Sequence, residues 1–154
     1  LNAIVECQWQ VAVGDHLLSR KEFEQLLQQK QPLVQVQGKW VHLQQGSIEE
    51  AKRHVGTESV LFVDVRETQE VQNTGGIPGH LHVPRGFLEF IVDPDSPMHK
   101  TELSSGKRLV LYCASGGRSA LAAKTLQDMG VDNVCHIAGG FTAWVESGGL
   151  VDSG

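Results

Sequence analysis

The 154 residues are enough for one ordinary domain with a small additional module, and 40% apolar with 20% charged content is the balance of a soluble globular chain. No apolar run is long enough to cross a bilayer, and a net charge of −5 speaks against a nucleic-acid partner, which requires a basic face to neutralise phosphates. Cys7, Cys113 and Cys135 are odd in number and form no CxxC pair, which excludes a disulfide framework or zinc site and fits a reducing, cytoplasmic setting.

In chain order, Trp9 to Val13 reads as a short strand. Ser19 with Glu22 forms a capping box for a short helix carrying Phe23, Leu26 and Leu27. Leu33 to Val36 and Trp40 to Leu43, separated around Gly38-Lys39, read as a β-hairpin. Gln44 to Ser47 reads as a junction, dividing a small N-terminal α+β module, 1–46, from a domain at 47–154. Ser47 with Glu50 caps a short helix, on which Lys52-Arg53-His54 is a solvated basic face. Val60 to Val63 and Leu109 to Tyr112 are continuous apolar runs, the mark of strands covered on both faces. Leu81 to Val83 and Val134 to Ile137 are shorter strands. Arg118 to Met129 is a helix expected to bury Leu121, Ala122, Leu126 and Met129, stopped by Gly130. Phe141 to Ser147 is a last helix, ended by Gly148-Gly149. This alternation implies an α/β fold, a parallel sheet flanked by helices. The opening residues show no basic stretch followed by an apolar one, so no secretory signal is expected within the chain; it begins at Leu1, which leaves the region upstream open.

Tyr112-Cys113-Ala114-Ser115-Gly116-Gly117-Arg118-Ser119 carries the chemistry. A buried strand ends at Cys113, a loop of small residues follows, and a helix begins. Ligands bind α/β sheets at the carboxyl ends of parallel strands. A helix N-terminus offers unpaired N–H groups and the positive end of a dipole. Two glycines let the backbone curl into an anion-binding nest. A thiol placed there becomes a stabilised thiolate, and Arg118 adds planar donors suited to an oxyanion. Cys7 and Cys135 read instead as buried structural thiols.

The segment Cys113 to Ser119 resembles the active-site loop of the rhodanese family. Three further stretches match that family: Asp64-Val65-Arg66-Glu67, then Ile77-Pro78-Gly79 with His82-Val83-Pro84-Arg85-Gly86, and Gly139-Gly140-Phe141-x-x-Trp144. The resemblance covers about residues 47–150. Gly76 stands where the family commonly has His, and His80 where it commonly has Ala. Gly14 to Leu43 resembles a segment of bacterial Swi/Snf-type helicases but carries no catalytic motif.

The rhodanese resemblance implies a thiosulfate sulfurtransferase working by double displacement. Cys113 accepts sulfane sulfur from a small donor such as thiosulfate as a persulfide, then passes it to cyanide or a cellular thiol. Ala114, Ser115, Gly116, Gly117, Arg118 and Ser119 bind substrate and stabilise the persulfide, and no metal or organic cofactor is needed. In the family, four residues between Cys113 and Arg118 go with sulfur transfer, and a longer loop with phosphate or arsenate chemistry. The alternatives are a phosphatase or arsenate reductase of the same fold and a non-catalytic regulatory module. Arg85 binds an anionic donor or forms a surface salt bridge. Asp64 steadies the active loop or caps the turn after its strand, and Arg66 and Glu67 read as ion-pair partners. His80 and His82 read as polar loop residues, Trp144 as core, and Trp9 and Trp40 as packing for the N-terminal module. No membrane partner is expected for the chain, and the N-terminal module is expected to be able to dock a protein partner.

Overall fold

The computed structural model describes residues 48–153 and, as backbone alone, the strands at 11–13, 16–18, 33–36, 39–42 and 45–46. Cys7, Trp9, the helix expected around 19–27 and the Ser47 cap lie outside the described residues, as does the side chain of Trp40. The chain divides into two compact units, Leu1–Leu43 and Gln44–Gly154.

The first unit holds a four-stranded sheet of β1 (Val11–Val13), β2 (His16–Leu18), β3 (Leu33–Val36) and β4 (Lys39–His42), in the order β2-β1-β4-β3. The predicted hairpin is present, with Val36 opposite Lys39. Strand β2, which the sequence did not announce, pairs antiparallel with β1.

The second unit is built on a five-stranded sheet in which every pairing is parallel. Its strands are β5 (Gln45–Gly46), β6 (Val60–Asp64), β7 (Leu81–His82), β8 (Arg108–Tyr112) and β9 (Val134–Ile137), in the order β5-β9-β8-β6-β7. The stretch expected to be a junction therefore supplies an edge strand, Gln45 pairing with His136. A two-residue strand carries too little pattern to be seen locally.

The inner strands alternate. Val63, Leu109, Leu111 and Val134 join one apolar cluster; Phe62, Val110, Tyr112, Cys135 and Ile137 join the other. Burial of both faces is why these strands read as unbroken apolar runs. The first face is covered by α3 (Leu88–Val92), a 3₁₀ turn at Thr101–Ser104 and α4 (Gly117–Asp128); the second by α1 (Ile48–Arg53) and α5 (Gly140–Glu146). A further helix, α2 (Thr68–Thr74), follows β6.

The buried stripe of α4 is Ser119, Ala122, Ala123 and Leu126, a run of i, i+3, i+4 and i+7. Leu121 and Met129, expected on that stripe, are 54% and 41% exposed. Small residues win the buried positions because they let the helix lie close to the sheet. Trp144 is fully buried, its ring edge-on to Phe62 and its indole N–H donated to Leu150 O at 2.9 Å. Among the described residues no helix is long and apolar enough to cross a membrane.

Candidate active site

β8 lies between β9 and β6, and its carboxyl end delivers Cys113 to the edge of the sheet. The chain then turns through Ala114, Ser115 and Gly116. Gly116 has φ 104°, the left-handed region, and a Cβ there would stand 3.1 Å from the amide nitrogen of Gly139. Glycine at this position lets α4 start at Gly117 with the N–H groups of Gly116 and Ser119 turned on the sulfur.

Cys113 Sγ accepts N–H bonds from Gly116 at 3.1 Å and Ser119 at 3.4 Å, and the Ser119 hydroxyl is 3.6 Å away. The residue is only 1% exposed, so a reactant must present a narrow terminal atom to reach the sulfur. Burial pushes the thiol up. The Ser119 hydroxyl and the backbone N–H groups of Ser119, Gly116 and Ser115 outweigh it, and the thiol ends below its ordinary value. Ser119 thus faces the sulfur with both hydroxyl and amide.

Arg118 does not offer its guanidinium to the nest unshared. It makes two hydrogen bonds to the Glu70 carboxylate of α2, at 2.6 and 2.7 Å, with both side chains about one-third exposed. Hydrogen bonding to Glu70 holds Arg118 above its ordinary value, and Cys113 acts in the same direction. Sequence reasoning missed Glu70. Its spacing from Glu67 was visible, and these two residues form a reciprocal capping box at the start of α2. Its partner 48 residues away was not visible.

The Gly139-Gly140-Phe141 motif forms the other side of the loop. Phe141 N–H donates to Cys113 O at 2.7 Å and Thr142 N–H to Ala114 O at 3.0 Å. Gly140 has φ 61°, and a Cβ there would lie 2.4 Å from Cys113 O. The second glycine is therefore what allows α5 to dock against the backbone of the Cys113 loop.

Asp64 does not bond the loop. Both its oxygens are taken by Arg66: the amide and Nε at 3.0 Å to Oδ1, Nη2 at 2.6 Å to Oδ2. The pair is buried, 0% and 2% exposed. Asp64 caps the turn after its strand, and Arg66 goes on to bond Thr74 Oγ1 and Gly75 O and to lie 4.1 Å over the Phe141 ring. Glu67 caps α2.

Arg85 bonds Glu89 at 3.0 Å and Thr125 at 3.2 Å. Thr125 lies about 12 Å along α4 from Gly117, so the guanidinium is directed away from the sulfur. The His80 ring bonds Ile77 O and the His82 ring bonds Arg66 O, each at 2.8 Å.

The chain matches the family model described as "Rhodanese-like domain" over residues 47–147. Residues 1–66 are also similar to the model described as "SNF2 Helicase protein". A sulfurtransferase of Allochromatium vinosum is 33% identical over 98 residues, covering 64% of this chain and 83% of that protein. A thiosulfate:glutathione sulfurtransferase of Saccharomyces cerevisiae is 35% identical over 115 residues, covering 70% and 82%. Among solved structures, a Rhodopseudomonas palustris protein of unknown function, described as a possible tyrosine phosphatase, is 44% identical with a TM-score of 0.69, covering 71% of this chain and 85% of that one. With the family model spanning residues 47–147 and the Gly-Gly-Phe motif docked on the backbone of the Cys113 loop, this chain belongs to the rhodanese-like domain family.

Proposed function

We propose that this protein is a sulfurtransferase that carries sulfane sulfur as a persulfide on Cys113. The carrying observation is the convergence of the Gly116 and Ser119 N–H groups on a nearly buried sulfur at the start of a helix. The Cys113 thiolate attacks the outer sulfur of thiosulfate, an S–S bond forms to Sγ, and the bond to the sulfonate breaks with sulfite leaving on its electron pair. The acceptor, cyanide in an assay or a cellular thiolate, then attacks the outer sulfur and returns the Cys113 thiolate. The N–H donors meet negative charge at the sulfur as an oxyanion hole meets it at oxygen. Both sulfurtransferase relatives support the reaction type, and the yeast relative's name supports a thiosulfate donor and a low-molecular-weight thiol acceptor. The chemistry runs on the chain's own residues.

A phosphatase is the second reading, because the 44% identical relative is described that way. Loop size favours sulfur. Only Ala114, Ser115, Gly116 and Gly117 separate Cys113 from Arg118, and a phosphoryl group needs room for three equatorial oxygens and a line of attack. The test is intact-mass spectrometry after incubation with thiosulfate, alongside hydrolysis of an aryl phosphate, with Cys113→Ser as the blank. A cyanide-releasable gain of one sulfur on Cys113 is expected, with negligible phosphate release. Phosphatase activity with no sulfur uptake would replace the first reading by the second.

A further inference from the structure

His136 interrupts the apolar residues of β9, between Cys135 and Ile137. It stands opposite Leu111 of β8 and is 4% exposed. By the alternation of the strand it shares the sheet face with Val134, the face that α4 covers. Its Nδ1 is 3.4 Å from Ser119 Oγ, which is itself 3.6 Å from Cys113 Sγ. Its Nε2 is buried without a hydrogen-bond partner, a state that costs free energy and calls for a reason.

We propose that His136 is a positioning residue, which donates Nδ1–H to Ser119 Oγ and thereby reserves the Ser119 hydroxyl proton for the sulfur of Cys113. The inference rests on reading Cys113 as the sulfur carrier. Ser119 Oγ has one proton and three neighbours that can accept it: Gly116 O at 3.1 Å, His136 Nδ1 and the sulfur. Burial holds the imidazole below its usual pKa, against an opposing contact with the backbone of Ile137, so the ring is neutral and has one proton to place. On Nε2 that proton would be a buried donor without an acceptor, the rarer and costlier arrangement. On Nδ1 it bonds Ser119 and removes the ring from competition for the hydroxyl proton. A thiolate then draws that proton away from the neutral carbonyl of Gly116, because charged acceptors make the stronger bond.

The charged groups of α4 act elsewhere than on the imidazole, Arg118 on Cys113 itself as well as on Glu70. On the same face, α4 carries Arg118, paired with Glu70, and Lys124, paired with Asp128, and neither bonds the imidazole. Tyr112 of β8 and Phe141 and Trp144 of α5 belong to the cluster on the opposite face, the face that Arg108 shares by alternation.

The experiment reads the thiolate absorbance of Cys113 against pH in the full chain, each variant being compared with its own Cys113→Ser version, so that no sulfur donor is involved. His136→Leu should raise the midpoint by about half a unit to one unit, and should slow sulfur transfer from thiosulfate about three- to tenfold. His136→Asn, whose amide nitrogen falls near the place of Nδ1, should restore most of the wild-type midpoint. His136→Gln, whose amide falls near Nε2, should not. In a Ser119→Ala background, His136→Leu should leave the midpoint where Ser119→Ala alone puts it. An unmoved midpoint in His136→Leu, or the same shift with Ser119 absent, overturns the proposal. Should His136→Leu fail to fold by circular dichroism, equal midpoints in the Asn and Gln variants overturn it as well. A wild type that titrates as expected, with the variants shifting as stated, upholds the hydrogen-bond chain even if thiosulfate transfers no sulfur; that result sinks the functional reading alone.

Discussion

Arg118 at the start of α4 and Glu70 in α2 are joined by two N–H···O bonds of 2.6 and 2.7 Å. The cation that follows the Cys113 loop is therefore held in place and largely neutralised by a carboxylate from another helix, with consequences for the thiol and for acid stability.

Glu70→Gln should leave the positive charge of Arg118 uncompensated. The Cys113 thiolate midpoint should fall by roughly half a unit or less, and KM for thiosulfate should fall with it. A midpoint that rises would show that Glu70 matters only by orienting Arg118. The Glu70 carboxyl is held down at about 2, from the usual 4.5, chiefly by the hydrogen bond from Arg118 and against partial burial. A carboxyl depressed in the folded state stabilises the fold above its unfolded pKa and loses that contribution as pH falls through its folded value. The stability gap between wild type and Glu70→Gln should thus be full above about 4.5 and close toward pH 2. The pair is about one-third exposed, so the gap should not exceed ~1 kcal/mol, measured by urea melts at stepped pH.

Asp64→Ala should cost about 3–5 kcal/mol in a denaturant melt, because it strands the buried Arg66 guanidinium. Arg66→Lys should also be poorly tolerated, since one ammonium cannot reach Asp64, Thr74 Oγ1 and Gly75 O together and still cover the Phe141 ring. A change under 1 kcal/mol on removing Asp64 would mean that Arg66 finds water or another partner at once.

Gly140→Ala should abolish sulfur transfer while leaving most of the sheet folded. The new Cβ would meet Cys113 O at 2.4 Å and Ala114 O at 2.6 Å, backbone atoms that cannot rotate aside, at a φ that L residues rarely adopt. Amide exchange of Phe141 and Thr142, whose N–H groups bond those carbonyls, should speed up in step. Wild-type turnover in the variant would show that α5 can dock another way.

The two departures from the family pattern, Gly76 and His80, fit each other. A Cβ on Gly76 would stand 2.5 Å from the His80 ring, which bonds Ile77 O and meets Tyr112 edge-on. Gly76→Ala should therefore cost ~1–3 kcal/mol by overpacking. The penalty should shrink when His80→Ala is added, a non-additive pair in thermal melts. Strict additivity would mean that the ring is not what Gly76 makes room for.

A shortened chain beginning at residue 44 should melt higher than one beginning at 48. The first keeps β5, whose backbone pairs with His136 and Ile137. Loss of those edge hydrogen bonds should cost about 1–2 kcal/mol. Equal melting points would make β5 dispensable.

The sequence by itself determined the buried strands, the helix after Cys113 and the loop of small residues between them. All three are written in local patterns: unbroken apolar runs for strands covered on both faces, and a strand, small-residue loop and helix for the nest at Cys113. Helix α2 had no such pattern, with Val71 its single buried residue. It was left to its capping box and to Arg118, a partner from elsewhere in the chain. The stripe of α4 was misjudged at Leu121 and Met129 because side-chain size, read alone, outweighs the closeness of approach that Ala122 and Ala123 permit. The tertiary structure alone decided who meets whom. It set Glu70 on Arg118, Arg66 on Asp64 and over Phe141, the Gly140 backbone against Cys113, and a buried His136 one hydroxyl away from the sulfur. Each of these, save the Asp64–Arg66 bond, joins residues from different elements. Their proximity is set by the packing of helices onto the sheet, a long-range consequence that no local window of residues contains.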